Sequence, residues 1–473
     1  MKSRWAVLWF ILLPACGVDA PVDTATRSNF IVIYSDDQRQ DAFGAEGNPA
    51  IITPTLDQMA QKAVHFTNAN VVFSLCSPSR AAILTGRYGS ANGVLHLDSK
   101  LNPEERTIAA YLKEAGYQTA ISGKWHIQPH PKEVGFDFHV FFEGNGAYYN
   151  RVIQDMGNEV RPEEHCDEYC VDRSIDFLED AVSNNRPFFL FHNTQLPHMN
   201  GELKWDARQQ TLAKYNVADM PVAKTRLDDL SSKPEYLKTV RNRVQAAKYG
   251  YPDAEAIQRH TKEYYAVITE MDDALGRLFK AIDRLGLREN TYIIFMSDNG
   301  WMLGEHGFTS KVLPYRPSTR VPMFILGPGL TPRTEEGIAL NIDVAPTLLD
   351  LAGIRQPGGI HGKSLVPVIT GKAAELRDAF VYEGLGSYGG AKPNLTVISN
   401  KYRYIETFEN ESLSRVTFRE LYDQSSDPEE MENLVHDRAY DAKLREFNGL
   451  VKEHMTEILN KKHPTPPTPL ARP

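Results

Sequence analysis

Cys76 is a lone cysteine set between turn-forming residues, in Ser74-Leu75-Cys76-Ser77-Pro78-Ser79-Arg80, and an arginine follows four positions on. Ser79 offers a side-chain oxygen just before Arg80-Ala81-Ala82-Ile83-Leu84, so the sequence predicts a helix that starts at Arg80. Cys76 would then face a helix N-terminus, a place where anions bind well. Two further constellations carry oxygen. Asp36-Asp37 follows the apolar run Asn29–Ser35, and Asp298-Asn299 follows the apolar run Thr291–Ser297. Neighbouring carboxylates at the carboxyl ends of buried strands are candidate ligands for a hard cation. Lys124 and His126, in Gly123-Lys124-Trp125-His126, also sit just past a strand. Taken singly, each has a plain structural explanation: a buried cysteine in a turn, a helix-capping acidic pair, a surface Lys and His beside a packed Trp.

These residues need rigid elements to bring them together. The continuous apolar runs at 29–35, 187–193 and 291–297 have strand length and no alternation, as expected of parallel strands covered on both faces. Helices are predicted from Pro54, from Thr107, over 172–181, over 261–285 and around Pro346. Residues 201–252 are polar and weakly periodic, an excursion over the face that carries the candidate site. Short strand-like pieces follow at 380–382, 402–405 and 420–423. With 473 residues the chain can bury a large core. Its net charge of -9 gives no basic field and argues against nucleic acid as a partner.

The pattern Cys76-x-Pro78-Ser79-Arg80 followed by Leu84-Thr85-Gly86 resembles the signature of the formylglycine-dependent sulfatases, and Gly123-Lys124-Trp125-His126 resembles their second signature. Pro197-His198, Asp298-Asn299-Gly300 and Lys311 follow in the family's order, as do the C-terminal Glu420-Leu421-Tyr422-Asp423 and Asn433. The resemblance implies an α/β fold of the alkaline-phosphatase-like type: a large, mixed, mostly parallel sheet between helices, plus a small C-terminal α+β subdomain with an antiparallel sheet. It implies that Cys76 is oxidised to 3-oxoalanine by a maturation enzyme, and that one Ca2+ is held by Asp36, Asp37, Asp298, Asn299 and the modified Cys76. Arg80, Lys124 and Lys311 would neutralise sulfate, His126 would take a proton from the aldehyde hydrate, and His198 would protonate the leaving oxygen. The implied reaction is hydrolysis of sulfate esters, on a sulfated carbohydrate or polysaccharide. A phosphonate or phosphate ester hydrolase of the same superfamily and a non-catalytic glycan-binding surface protein are the alternatives. Arg316 stands where the family often has an acid, and it could face an anionic part of the substrate.

Residues 1–16 have a basic start, an apolar stretch from Trp5 to Leu13 and a lipobox-like Leu13-Pro14-Ala15-Cys16. They predict export with a lipid on Cys16 and a membrane or cell-surface location, with periplasmic or secreted protein as the alternative. The expected layout is a signal over 1–16, a tether over 17–27, a catalytic domain over 28–372, a C-terminal subdomain over 373–460 and a flexible Pro-rich tail over 461–473. Of the four cysteines, Cys166 and Cys170 remain, a pair close enough in an exported chain for a local disulfide. A zinc site that includes His165 is the other reading of that pair.

Overall fold

The computed structural model describes residues 27–459, so the expected signal, Cys16, most of the tether and the tail lie outside the described residues. Its centre is a ten-stranded sheet in the order Arg333–Glu335, Val64–Phe66, Met323–Leu326, Thr291–Ser297, Asn29–Ser35, Phe188–Asn193, Gln118–Lys124, Phe138–Phe142, Ile153–Asp155, Asn158–Val160. The five strands from Thr291–Ser297 to Phe138–Phe142 are parallel, and antiparallel pairs flank them on both sides. Asn29–Ser35 is buried at every position, which explains its unbroken apolar run. Alternate residues serve two cores: Ile31 and Ile33 face one layer, Phe30, Val32 and Tyr34 the other.

The first layer contains the helices Pro54–Gln61, Cys166–Ser183 and Ala254–Arg284. The second contains Cys76–Thr85, Ile108–Glu114 and Val344–Leu351. Ala254–Arg284 begins earlier than its apolar periodicity suggests, because the Asp253 side chain accepts from Glu255 N and caps a polar first turn. Its Ile268, Met271, Leu275, Leu278 and Ile282 are fully buried, and each contributes roughly 1.5–3 kcal/mol of apolar burial. Among the described residues no helix is long and apolar enough to cross a membrane.

Three local expectations need correction. The helix after the cysteine motif is Cys76–Thr85 and not a helix from Arg80: Leu75 is its extended N-cap and Pro78 lies in its first turn, where a missing N–H costs nothing. Ser79 does not cap it; its hydroxyl pairs with Tyr34 Oη at 2.8 Å and accepts from Asn341 Nδ2 at 2.9 Å. The helix expected over 172–181 starts at Cys166, capped by the His165 side chain, which accepts from Asp167 N. Cys166 and Cys170 are therefore one helical turn apart, and both are free thiols, not a disulfide. Four residues of helix separate their Cα atoms by about 6 Å with side chains leaning the same way, so the sulfurs do not converge. They pack instead with Val140, Phe142 and Ile153.

The C-terminal unit is a four-stranded antiparallel sheet, Ala379–Gly384, Asn394–Ser399, Tyr402–Phe408 and Val416–Asp423, in that order. One face packs on the helix Asp441–His454 through Phe447 and Val451. The other face sends Tyr382, Ile405 and Tyr422 into a cluster with Phe73, Leu75 and Leu313, directly behind the cysteine helix.

Candidate active site

The parallel register of two strands builds the acidic centre. Ser35 pairs with Ser297, so Asp36 and Asp298 leave the sheet side by side, and Asp298 N donates to Ser35 O at 3.0 Å. Asp37 turns back with φ 67°, a conformation that aspartate tolerates better than most residues. Tyr264 of the long helix fixes this turn: its hydroxyl donates to Asp37 O at 2.7 Å and accepts from Arg39 N at 3.0 Å. Asp37 N donates to Asp298 Oδ1 at 3.1 Å, and Asn299 Nδ2 donates to Asp37 Oδ1 at 2.6 Å.

Cys76 sits at the first position of its helix, above these carboxylates. Its sulfur is 3.7 Å from Asp36 Oδ1, 2.7 Å from Lys311 Nζ and 4.0 Å from Lys124 Nζ. Arg80, one turn further along the same helix, reaches Asp298 Oδ2 at 2.9 Å and Asp36 Oδ2 at 3.6 Å. Lys124 pairs with Asp36, and Lys311 with Asp37. Lys124 can approach because Gly123 precedes it with φ 109°; a Cβ there would stand 1.7 Å from Asn193 O. Burial raises the Cys76 thiol to about 12 despite the two lysines, so the unmodified group stays protonated at neutral pH. Burial also works against an ionised Asp36, but Lys124, His198 and Arg80 hold it well below the usual carboxylate range. Burial and the neighbouring Asp36 push Asp298 up to about 7.

His198 joins the same shell. Its Nδ1 donates to Met199 O at 2.6 Å, which leaves Nε2 bare, 3.5 Å from Asp37 Oδ2. Burial lowers this imidazole to about 4. His126 has φ 55° and a buried Nδ1 without a partner, and burial with Lys124 and Arg80 pushes it down to about 2. All six residues expected to act on the substrate thus lie at the carboxyl edge of the parallel strands. His192, which the resemblance leaves out, points away and pairs with Ser174 Oγ at 2.9 Å.

Several supporting residues carry no motif of their own. Asn145 Oδ1 accepts from Lys124 Nζ at 2.7 Å; its signal is a Gly-Asn-Gly sequence just past the strand Phe138–Phe142. Asp167 accepts from Gln195 N and Leu196 N at 2.7 and 3.0 Å, and so holds the loop that ends in His198. Its donor atoms lie near those of His165 and Cys166, yet both its carboxylate oxygens are already engaged by that loop. Arg151 joins this loop to the one beyond Phe142, through Gln195 Oε1 at 3.0 Å and the carbonyls of Glu143 and Gly144. Asn242, from the 201–252 excursion, donates to Thr309 O at 2.7 Å and to Lys311 O at 2.8 Å.

A divalent cation fits this donor set. Ligand atoms of Asp36, Asp37, Cys76 and His198 lie within 4.8 Å of one another, with Asp298 and Asn299 hydrogen-bonded at the border. Asp37 Oδ2 and Asn299 Oδ1 are buried without a hydrogen-bond partner, a costly state that a cation would relieve. The bare His198 Nε2 and Asp37 Oδ2 also face each other with lone pairs, which favours positive charge between them. An oxygen-rich set of this kind suits a hard ion.

A cavity of about 50 Å³ opens over Lys311, with Trp301, Tyr249, Tyr388, Met199 and Arg241 in its walls. Arg316 does not line it. It lines a separate cavity of about 350 Å³ with Arg39, Glu305, Glu429 and Glu430.

A profile of the sulfatase family matches residues 28–354, and one described as "N-sulphoglucosamine sulphohydrolase, C-terminal" matches 304–459. The chain is 28% identical to an N-acetylglucosamine-6-O-sulfatase of Bacteroides thetaiotaomicron, over 96% of this chain and 91% of that one. It is 29% identical to an ulvan-active sulfatase of Formosa agariphila, over 92% and 82% of the two chains. A solved structure, in complex with its substrate D-glucosamine-2-N,6-O-disulfate, superposes with a TM-score of 0.84 at 26% identity, over 92% of this chain and 99% of the other. The sandwich with its C-terminal antiparallel sheet is that fold, and the family profile spans most of the chain: the protein belongs to the alkaline-phosphatase-like sulfatases and is a sulfuric ester hydrolase.

Proposed function

We propose that the protein removes sulfate from a sulfated carbohydrate, with Cys76 oxidised to formylglycine and one Ca2+ held by Asp36, Asp37, Asp298 and Asn299. One observation carries this reading: the Cys76 sulfur lies 2.7 Å from Lys311 Nζ, which lines the cavity, inside a shell where three cations and three carboxylates balance. A shell balanced in this way has no spare positive charge for an anionic ester. The calcium ion would supply that charge, and the hydrated aldehyde would supply a hydroxyl nucleophile toward sulfur.

The chain's own residues do the rest. Lys124 and Lys311 flank the sulfur of Cys76 and bind the sulfate oxygens, and Arg80 anchors Asp298 and Asp36 so that these carboxylates keep their place. His198, held through Nδ1–H, presents a bare Nε2 that would take the proton released by the attacking hydroxyl and hand it to the departing alcohol. His126 Nδ1, buried and unpartnered, is the complementary proton acceptor. Carbohydrate is supported by the relatives' substrates and by the aromatic walls Trp301, Tyr249 and Tyr388, surfaces on which a sugar ring packs. Residues 1–16 support export with lipid on Cys16, and a maturation enzyme for Cys76 is part of the same proposal.

The test is sulfate release from N-acetylglucosamine 6-sulfate and an aryl sulfate by protein made with a formylglycine-generating enzyme, beside phosphate release from an aryl phosphate. Faster turnover of the sulfate esters is expected. A clear preference for the phosphorus ester would overturn the reading.

A further inference from the structure

The cavity over Lys311 has an unusual charge pattern. Its walls contain two cations, Lys311 and Arg241, and no carboxylate. Lys311 is already paired with Asp37 and lies 2.7 Å from the Cys76 sulfur. Arg241 is exposed, and among the described residues no carboxylate forms an ion pair with it. The guanidinium is nevertheless held in place. Its NH1 donates to Tyr388 Oη at 2.9 Å, and its carbon lies 5.6 Å from the centre of the Tyr388 ring. Gly389, with φ 63°, closes the turn against the arginine stem; a Cβ there would stand 3.0 Å from Arg241 Cβ.

Arg241 is also fixed relative to the reacting centre. The next residue, Asn242, bonds the carbonyls on both sides of Ser310, so the first turn of the helix Arg241–Lys248 and the Lys311 loop move as one. Among the described residues one of the five guanidinium donors is used, which leaves an edge able to take an oxyanion with two parallel hydrogen bonds. The cavity around Arg316 offers a contrast, because there Asp41, Glu305, Glu429 and Glu430 offset the arginines.

We infer that Arg241 forms a second anion subsite at the mouth of the cavity and selects substrates that carry another oxyanion close to the scissile sulfate. That oxyanion is a carboxylate of a neighbouring uronic acid or a second sulfate on the same sugar. The inference rests on the sulfated-carbohydrate reading above.

The experiment measures kcat/KM for three substrates, N-acetylglucosamine 6-sulfate, glucosamine 2-N,6-O-disulfate and a uronic-acid-containing 6-O-sulfated disaccharide, with wild-type protein, Arg241→Gln and Arg241→Lys. The readout is selectivity, the ratio of a doubly anionic substrate to the singly anionic one. Arg241→Gln is expected to lower that ratio on the order of tenfold or more, mainly through KM, and Arg241→Lys to recover part of it. A fall confined to the disaccharide identifies a carboxylate, and a fall confined to the disulfate identifies a sulfate. An unchanged ratio for both substrates in Arg241→Gln overturns the subsite while the sulfatase reading stands. If wild-type protein releases sulfate from the aryl ester but from none of the sugars, the carbohydrate reading fails and the subsite falls with it.

Discussion

Replacing Asn242 with alanine removes both hydrogen bonds that its side chain donates to the Lys311 loop. The loop needs them, because Ser310 and Val312 have φ of 71° and 82°, and a non-glycine residue held there costs about 1–3 kcal/mol. A β-branched valine is the least tolerant of such a position. The Asn242 side chain bonds the carbonyls of Thr309 and Lys311 on either side of Ser310, and the asparagine itself is 5% exposed. Losing it orphans two carbonyls at about 1–2 kcal/mol each, about 2–4 kcal/mol together. For a chain of this length, Tm falls by about 1 °C per kcal/mol, so a drop of about 2–4 °C is expected. The larger effect is on rate. With its clamp gone the loop relaxes its backbone and Lys311 Nζ leaves its place 2.7 Å from the Cys76 side chain, and a displacement of about 1 Å costs on the order of 100-fold in kcat. The assay is aryl sulfate turnover with calcium, beside a thermal melt. A variant that melts lower yet keeps the wild-type kcat would refute the claim that Asn242 positions Lys311.

Calcium at about 100 times its Kd should stabilise the protein by about 2.7 kcal/mol, a Tm rise of about 3 °C. Chelation should reverse the rise and Asn299→Ala should diminish it; a melt insensitive to chelator would refute a bound ion. His192 is fully buried, and burial alone holds it down at about 4 against an ordinary 6.5. The unfolded chain therefore takes up the proton first as pH falls, so stability is full above pH 6.5 and declines toward pH 4. His192→Gln should remove about 3 kcal/mol of that decline in urea titrations at pH 7 and 4, and an unchanged decline would refute it. Arg403 and Glu430, each 1% exposed, pair at 2.5 Å where the C-terminal sheet meets the catalytic part. Arg403→Met leaves the buried Glu430 without its ion-pair partner, its carboxylate held by Arg316 N and Gln424 Nε2, at about 3–5 kcal/mol; adding Glu430→Gln should recover part of the lost Tm, and equal melts for the single variant and wild type would refute the pair's role.

The parts of this protein that could be read from its sequence are those governed by local pattern. Strands 29–35 and 291–297 stand out because both faces are buried, and each ends on an oxygen pair. The motif residues could be placed at one sheet edge because parallel strands bring their carboxyl ends together. The start of the cysteine helix is obscured in the sequence because Ser77 and Pro78 are turn formers, whereas here they make up a helical first turn. The start of Cys166–Ser183 was hidden by a polar first turn and a histidine cap, and with it the reason that Cys166 and Cys170 stay reduced. Strand Asn394–Ser399 sits inside its small sheet and has turn formers on both sides, Gly389-Gly390 and Pro393 before it and Asn400 after it, so its signal was present in the sequence. Asn242, Asp167 and Arg151 act across 28 to 69 residues of sequence. An asparagine that clamps a distant loop has the composition of any polar surface residue, so only the folded contacts reveal it.

The central claim is that Cys76 becomes the catalytic group of this shell. Its most direct test is mass spectrometry of the Cys76 peptide from protein made with and without a formylglycine-generating enzyme, with sulfate release measured on the same samples. The account predicts that release rises in proportion to the aldehyde fraction and vanishes in Cys76→Ala. Sulfate release that persists in Cys76→Ala, or fully converted, calcium-loaded protein that releases none from any sulfate ester, would contradict it.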